Sequence, residues 1–440
     1  MLYSSLRSCL LANTPDSNRF VIALSGGLDS RVLLHLMGRF IRDNPQYQCD
    51  AVHVHHGLSG NADKWAQQCQ QWAFEEKITY CHIEHVTLVL GNRISVEQQA
   101  REQRYLALSK HIQQGDCLLT AQHADDQLET FLLALKRGSG PAGLASMPES
   151  TTFGIGYHLR PLLQVTRQSI TDYGIAHQLE WVEDESNQDQ RYDRNFLRHQ
   201  VTPLLHQRWP GIRKAVSRSA VLCGEQEALL NELLASHLSK ALHVDQSLKI
   251  VELGSERIGK QLIRQWLSLF TVLMPSQAQL QQIWHSVVWA QDDANPQVCC
   301  GSHQIRRYKQ RLYVVKQWAD ISRFQQECKL NQPCSLPEEL GTLVITTVKV
   351  SGTLRLPLKN EIVSVRFEPE GIEAKPQGRI GKRKLKKLFQ EYEVPSWNRR
   401  RTPLVFYNDR LAAVAGLFVT EDFVGEDCDL DWQCNSREVQ

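Results

Sequence analysis

Two short segments carry side chains that can do chemistry together. The first is Ser25-Gly26-Gly27-Leu28-Asp29-Ser30, which follows the apolar run 20–24 and opens an amphipathic stretch. A strand, a glycine turn and a helix start form a phosphate cradle. Glycine lets the backbone approach an anion closely. The first-turn N–H groups lack helical partners, and the helix dipole favours negative charge there. Ser25 and Ser30 add hydroxyls. No lysine follows the glycines as it does in G-x-x-x-x-G-K-[ST]. Asp29 instead offers a carboxylate that can meet Mg²⁺, which suits a loop that holds released pyrophosphate. The alternative is an ordinary strand–turn–helix corner.

The second segment is His123-Ala124-Asp125-Asp126-Gln127-Leu128-Glu129-Thr130, after the apolar run 117–120. One carboxylate at a helix start is enough for capping. Three within five residues suit Mg²⁺ binding, amine binding or general-base work. Asp125 and Glu129 are spaced i,i+4, as are Asp126 and Thr130. A capped, solvated acidic turn is the competing reading.

Three further groups stand near these in the pattern. His53-Val54-His55-His56-Gly57-Leu58 follows a third apolar run. H-x-H without a third ligand is weak metal spacing, so loop histidines are the alternative. Arg101 and Arg104 share a helical face, either for phosphates or in a solvated, salt-bridged surface. Arg191, Arg194 and Arg198 recur at helical spacing after the polar loop 183–189, a stripe suited to a polyphosphate or RNA backbone.

Near the C-terminus, 379–401 holds nine lysines and arginines against two acids, a net +7 in a chain whose total is +2. Leu385, Leu388 and Phe389 give its helix an apolar seam. Lys382, Arg383, Lys386 and Lys387 lie on the basic side, and Tyr392 and Trp397 follow. Charge for phosphates and rings for unstacked bases suit RNA; a solvated charge run is the alternative.

These groups need a frame. Short apolar runs at 20–24, 51–54, 78–83 and 117–120 alternate with helical patterns at 29–41, 61–75, 95–112 and 125–136. That alternation predicts right-handed βαβ units and a doubly wound parallel α/β sheet. Its ligands bind at the carboxyl ends of strands, where both chemical segments lie. The Gly/Pro-rich 137–143 reads as a connector or lid, 167–178 as a helix, and 192–206 as a basic helix. Residues 213–293 are helical in pattern, with Leu229/Leu230/Leu233/Leu234 and Leu262/Trp266/Leu269/Phe270 as core stripes. A β pair at 304–307 and 312–315 follows. Residues 319–340, with Pro333 and Pro337, read as a linker. Beyond them come strands at 342–350, 362–367, 404–407 and 411–419 around a helix at 382–392. The domain reading is therefore 1–210 catalytic, 211–318 mainly helical, 319–340 linker and 341–436 a small α+β domain.

The length of 440 residues fits about three domains. No apolar run is long enough for a membrane span, and the N-terminus lacks a signal-peptide pattern, so the expected compartment is the cytoplasm. Twelve cysteines are scattered without a C-x-x-C pair, which argues against zinc or iron–sulfur sites and for reduced thiols.

Taken together, S-G-G-L-D-S resembles the PP-loop of ATP pyrophosphatases. The wider set resembles the tRNA(Ile)-lysidine synthetase family: V-H-H-G-L, A-R-E-Q-R-Y, H-A-D-D-Q-L-E-T, L-K-R-G-S-G-P-A-G-L-A-S-M, R-P-L-L, D-E-S-N…R-N-F-L-R and K-L-K-K-L-F-Q-E-Y-E-V-P-S-W, in the family's order. Ser59 departs from it, standing where many members carry Arg for a phosphate contact.

The resemblance implies a fold of the adenine-nucleotide α-hydrolase type. It also implies a ligase that adenylates O2 of the wobble cytosine of CAU-anticodon tRNA-Ile with ATP. Free L-lysine then displaces AMP from C2, giving lysidine, which reads AUA. It places ATP at Ser25, Gly26, Gly27, Leu28, Asp29, Ser30 and His55. It gives Mg²⁺ to Asp29, with Asp126 second. Asp125, Asp126 and Glu129 are assigned, unranked, to lysine binding or base work. Arg101, Arg104, Arg194 and Arg198 are assigned to phosphates of ATP or tRNA, and Lys382, Arg383, Lys386 and Lys387 to tRNA. No membrane partner is expected, and the oligomeric state is open, a homodimer being one option. The rival functions are a tRNA thiolase, which generally needs paired cysteines or a cluster; a small-molecule adenylating synthetase, which has no use for the basic tail; and a non-catalytic tRNA-binding protein.

Overall fold

The computed structural model describes residues 2–13, 18–57, 59–87, 96–270, 272, 274–291, 294–348 and 352–434. Leu58 of the V-H-H-G-L motif lies outside them. So do residue 95 of the expected fourth helix, residues 271, 273, 292 and 293, the strand end 349–350, and residues 435–436. The chain forms two compact units, 1–230 and 231–440.

The first unit runs α1 (Leu2–Asn13), β1 (Arg19–Ala23), α2 (Leu28–Asp43), β2 (Gln48–His55), α3 (Ala62–Glu75), β3 (Cys81–His85), α4 (Val96–Ser109), β4 (Cys117–Leu119) and α5 (Ala124–Lys136). It continues with α6 (Pro141–Leu144), β5 (Ser150–Phe153), β6 (Gly156–Leu159), α7 (Arg167–Ala176), α8 (Asp193–Phe196) and α9 (Thr202–Arg208); α10 (Ile212–Ala241) begins in this unit and ends in the second. The sheet order is β3-β2-β1-β4-β6-β5. All pairs are parallel except the β5–β6 hairpin at the edge.

β1 shows why the sheet is buried on both sides. Phe20 and Ile22 join a core with Leu33, Leu36 and Phe40 of α2, whereas Val21 and Ala23 pack with Leu108 of α4 and Leu118 of β4. Alternate residues of a strand point to opposite faces, and helices cover both. The chain leaves β1 toward β2 on one side and returns to β4 on the other. The carboxyl ends of β1, β2 and β4 therefore surround the switch point, the crevice where such sheets bind ligands.

Expected and observed elements agree closely from β1 to α5. Helix α1, the turn of helix at 141–144 and the β5–β6 hairpin were not expected. The basic helix 192–206 is α8 and α9 joined by a π-turn at Leu197–Val201.

In the second unit, Leu248–Lys249, Arg311–Lys316, His303–Tyr308 and Gln297–Cys300 form a four-stranded antiparallel sheet, in that order. Two helical segments start at Glu256 and Gln277. The expected core stripes need correcting. Leu262 and Trp266 are fully buried, but Leu229, Leu233 and Leu269 are exposed. Adjacent leucines on a helix lie about 100° apart, so a double-leucine row cannot all face one core.

The expected linker is also overturned. Gln325–Glu327 pairs with Val363–Arg366, and Cys334–Ser335 with Thr342–Thr347. Ile321, Cys328, Cys334, Leu336 and Leu340 are buried in the same core as Val365, Tyr407 and Phe423. The Gln-Gln-Glu strand is exposed throughout, so it has no apolar alternation to announce it. The basic helix is Leu385–Glu391, preceded by a short strand at Arg383–Lys384, and its seam of Leu385, Leu388 and Phe389 is fully buried.

Candidate functional site

The phosphate loop leaves β1 at Leu24. Gly26 sits at φ +88°, and a Cβ there would lie 3.2 Å from Cys69 Sγ. That backbone region disfavours side chains. Its carbonyl accepts from Val182 N–H at 2.9 Å. Gly27 is the N-cap of α2 and makes no side-chain cap bond, so the first-turn N–H groups keep their anion-binding capacity. Ser30 is buried. Its hydroxyl accepts from Gly26 N–H at 3.1 Å and donates to Gly27 C=O at 2.9 Å, with Ser25 Oγ 3.0 Å away. Ser30 thus ties the loop together from beneath.

A cleft of about 650 Å³ opens over this loop at the carboxyl ends of β1 and β2. Ser25, Gly27, His55, His56, Trp65 and Arg104 line it, and Ser59 also belongs to its wall. Its volume suits a nucleotide-sized ligand. Burial lowers the pKa of His56, and the Arg104 and His55 charges lower it further; burial also lowers that of His53. His53 Nδ1 bonds Leu24 C=O at 2.9 Å, fixing the strand end beneath the loop. His55 bonds Asp63 at 3.1 Å. No carboxylate pairs with Arg104 among the described residues, and its like-charge neighbour is Arg101. Arg101 itself is exposed, 5.1 Å over the Tyr105 ring.

The acidic segment stands at the carboxyl end of β4. His123, fully buried, is the N-cap of α5. Its Nδ1 accepts from Asp126 N–H at 3.2 Å, and Asp126 Oδ2 accepts from His123 N–H at 3.1 Å. This reciprocal pair is a capping box with histidine in the usual Ser/Thr place. It directs Nε2 toward Asp126 Oδ2 at 3.4 Å and Asp29 Oδ2 at 3.7 Å. Burial disfavours the imidazolium, but Asp29, Asp126 and Asp125 outweigh it and raise the ring's pKa. Burial would likewise raise Asp29, yet His123, Arg167 and Arg198 hold it below the usual carboxylate range. His123 therefore joins the phosphate loop to the acidic helix.

The three acids divide into two sets. Asp125 takes Arg213 Nη1 at 2.9 Å and Arg167 N–H at 2.9 Å. Asp126 and Glu129 share Arg198, which reaches Asp126 Oδ1 at 3.0 Å and Glu129 Oε1 and Oε2 at 2.8 and 3.0 Å. Glu129 is about 1% exposed. Burial raises its pKa in spite of Arg198 and Arg194. Arg194 lies 3.4 Å from Glu129 and donates to Thr130 Oγ1 at 2.8 Å. Arg194 and Arg198, expected at phosphates, face the carboxylates of Glu129 and Asp126 in this structure. Arg191 pairs with Asp189 on the surface. Arg213 and Arg167 carried no signal in the spacing; His123 lay inside a motif but its role went unread.

The C-terminal cations are in the second unit. Lys382, Arg383, Lys386 and Lys387 are exposed, and Arg383 pairs with Glu391 at 3.0 Å. Trp397 is not an open stacking ring. It packs on Tyr308 and Tyr313, with Arg306 over its face. Tyr392 stacks on Phe418.

No group of three His, Cys, Asp or Glu is arranged for a metal among the described residues. Mg²⁺ commonly takes only one or two protein carboxylates plus phosphates and water. Asp29 Oδ1 is buried without a hydrogen-bond partner, which fits such a ligand. Burial pushes the Cys69 thiol up to about 12 and Cys81 up to about 11, so these two thiols are held protonated, contrary to what sulfur transfer needs. No helix among the described residues is long and apolar enough to cross a membrane.

Comparison with known proteins places this geometry. A PP-loop domain model matches residues 4–205, a TilS substrate binding domain 254–313 and a TilS substrate C-terminal domain 363–435. The chain is 93% identical over 436 residues, 99% of its length and 100% of the relative's, to tRNA(Ile)-lysidine synthase of Photobacterium profundum. It is 51% identical over 434 residues, 98% of its length and 99% of the relative's, to the same enzyme of Vibrio parahaemolyticus. Among solved structures, the U34-tRNA thiolase NcsA from Methanococcus maripaludis aligns over 50% of this chain and 77% of its own, at 16% identity and a TM-score of 0.40. With its phosphate loop, its acidic helix and full-length identity of this order, the chain belongs to the tRNA(Ile)-lysidine synthase family.

Proposed function

We propose that this chain is an ATP-dependent ligase that forms the C–N bond of lysidine on tRNA-Ile, joining the ε-amine of L-lysine to C2 of the wobble cytidine of the CAU anticodon. One observation carries the reading. A phosphate loop at the end of β1 and a carboxylate pair at the end of β4 meet across the switch point through Asp29 and His123.

ATP would bind in this cleft, whose lining includes Arg104 and His55. Its phosphates lie over Ser25, Gly26 and Gly27 and against the α2 N-terminus. Leu28 packs the helix start into the core. Ser30 keeps the loop in shape. Asp29 would hold Mg²⁺, with Asp126 as the second candidate, and the ion would neutralise phosphate charge. Cytosine O2 attacks the α-phosphorus and pyrophosphate leaves. The lysine amine then attacks C2, the C2–O bond to AMP breaks, and the nitrogen loses a proton. Oxide would be a poor leaving group; AMP is a good one, which is why adenylation precedes substitution.

The amine starts as ammonium, at a reference pKa of about 10.4. Asp126 and Glu129 form the anionic pair that would receive it. Glu129 is the better base because burial raises its pKa, toward the range where a general base works at neutral pH. Arg198 now makes the contacts that a lysine ammonium would seek, and would share or yield them as lysine binds. Asp125, tied to Arg213 and the start of α7, is a positioning residue. Arg101 would contact tRNA phosphate, and Arg194, which faces Glu129 and Thr130, would reach phosphate only by leaving them. Lys382, Arg383, Lys386 and Lys387, with the chain segments 211–318 and 341–436, would hold tRNA. The compartment is cytoplasmic in this reading, and a homodimer is allowed by it.

The test is incubation with ATP, Mg²⁺, labelled lysine and a CAU-anticodon tRNA-Ile transcript. Lysine should enter the tRNA with AMP and pyrophosphate released in step. Folded protein that incorporates no lysine, or that inserts sulfur, refutes the proposal. Replacing Lys382, Lys386 and Lys387 together with Ala should sharply reduce tRNA modification, whereas a small-molecule synthetase would keep its activity.

A further inference from the structure

The second unit contains a cavity of about 680 Å³ between the hairpin of His303–Tyr308 and Arg311–Lys316 and the helix Leu385–Glu391. That is the volume of a small-ligand site. Arg307, Lys309, Lys386 and Arg399 line it, and no Asp or Glu does among the described residues. Arg307 donates to Val288 C=O at 3.1 Å, and Arg399 Nε to Val394 C=O at 3.1 Å. A carbonyl orients a guanidinium without cancelling its charge, and among the described contacts Lys386 and Arg399 face no carboxylate. Lys309 is partly offset by Glu393.

The rest of the lining is not what a plain phosphate track needs. Asn295 and Gln390 present side-chain amides, and Tyr308 contributes a ring. Ser396 Oγ donates to Asn295 Oδ1 at 2.6 Å, which fixes that amide. Trp397 meets Tyr308 edge-on at 6.0 Å and packs against Tyr313 at 5.3 Å, so Tyr308 has a rigid backing. Amides read base edges, rings take unstacked bases, and cations take the phosphate.

We infer that this cavity takes one unstacked nucleotide, supplied by the tRNA, with its phosphate on Lys386 and Arg399 and its base against Asn295, Gln390 and Tyr308. The inference rests on the reading of the chain as a tRNA-modifying enzyme and specifies how its second unit grips RNA.

The test uses the full chain and filter binding of tRNA-Ile at several salt concentrations. Lys386→Ala should weaken binding and flatten the dependence of log Kd on log salt by about one charge. Gln390→Leu and Asn295→Leu should each weaken binding about five-fold, one hydrogen bond's worth, with the salt dependence unchanged. If both amide variants bind like the wild type while Lys386→Ala does not, the surface is only a phosphate track and the inference falls. Titration of AMP alone separates the sources. Saturable binding that Gln390→Leu abolishes, with tRNA affinity unaffected, assigns the cavity to a free nucleotide and overturns the RNA source. Gln390-dependent tRNA binding by protein that makes no lysidine would refute the proposed reaction and leave this site standing.

Discussion

Replacing Arg198 with Ala tests the acidic network most directly. Arg198 is the only residue that bridges Asp126 and Glu129 among the described contacts, and it makes both strong hydrogen bonds to Glu129. Without it, a nearly fully buried carboxylate keeps only Arg194 Nε at 3.4 Å. Breaking a buried pair from one side typically costs about 3–5 kcal/mol. Glu129 can limit that cost by taking a proton. The ordinary value for this carboxyl is 4.5, and pH 7 lies about 2.5 above it, so protonation costs at most about 3.4 kcal/mol at about 1.36 kcal/mol per pH unit. With Arg194 still present, we expect a loss of about 2–3 kcal/mol. The sign with pH follows. The variant's folded state binds a proton that its unfolded state has released. Burial also raises the wild-type carboxyl, so both proteins lose stability in parallel as pH first climbs above about 4.5; once wild-type Glu129 ionises beside Arg198, only the variant goes on losing it, by up to about 1.4 kcal/mol per unit. Native-state hydrogen exchange of the α5 amides in the full chain measures this, with protection compared at about pH 5, 6 and 7 after correction for intrinsic rates. A deficit that is the same at all three values refutes the reasoning, because Arg198 would then make no difference to the protonation of Glu129. Arg198→Lys should recover part of the protection but not the bidentate contact.

Three other outcomes follow from local geometry. Gly26→Ala places a Cβ at φ +88° and 3.2 Å from Cys69 Sγ; it should cost about 1–3 kcal/mol of local strain and raise the Kd for ATP at least ten-fold in an equilibrium titration, with helix content unchanged by circular dichroism. His158 is pushed down to about 3 by burial and by the Arg160, Arg101 and Arg104 charges, so its ring resonances should not titrate between about pH 5 and 8, where an ordinary histidine does, and Arg160→Met should move its titration upward. Glu361 is lowered to about 2, chiefly by its hydrogen bonds from Arg355; a depressed acid contributes stability above its unfolded pKa and loses it as pH falls toward the folded value, so between about pH 4.5 and 3 the wild type should lose more thermal stability than Arg355→Met.

The parts of the site that were legible in the sequence are contiguous. Ser25 to Ser30 and His123 to Thr130 each place several reactive groups within one turn at a strand end, and the alternation of apolar runs with amphipathic helices puts those ends together. What was illegible is pairing across the fold. Glu129 and Arg198 are 69 positions apart, and Asp125 and Arg213 are 88 apart. Each helix, seen alone, shows an unpaired stripe of one sign. An acidic stripe then suggests a cation ligand and a basic stripe suggests phosphate, when the two neutralise each other. The misread linker has a similar cause: Gln325–Glu327 is an exposed edge strand whose order comes from its hydrogen bonds to Val363–Arg366, and no side-chain pattern records such bonds.

The same physics revises the basic tail. Counted along the sequence, 379–401 is a uniform +7 stretch. In the folded unit its arginines are largely engaged. Arg379 and Arg383 share Glu391, Arg400 reaches Glu370, and Arg401 is buried over the Trp318 ring with a bond to Glu338 C=O. Planar guanidinium forks suit such fixed partners, whereas an ammonium on a flexible stem stays hydrated. Lys382, Lys384, Lys386 and Lys387 are exposed. Charge free to meet RNA phosphates therefore belongs to the lysines around the helix and to Arg399, oriented by the Val394 carbonyl, while Arg379, Arg383, Arg400 and Arg401 shape the surface that carries them. Neutralising two of those lysines should lower the salt dependence of tRNA binding by about two charges. Arg379→Gln, whose cation already serves Glu391, should change that slope by much less than one.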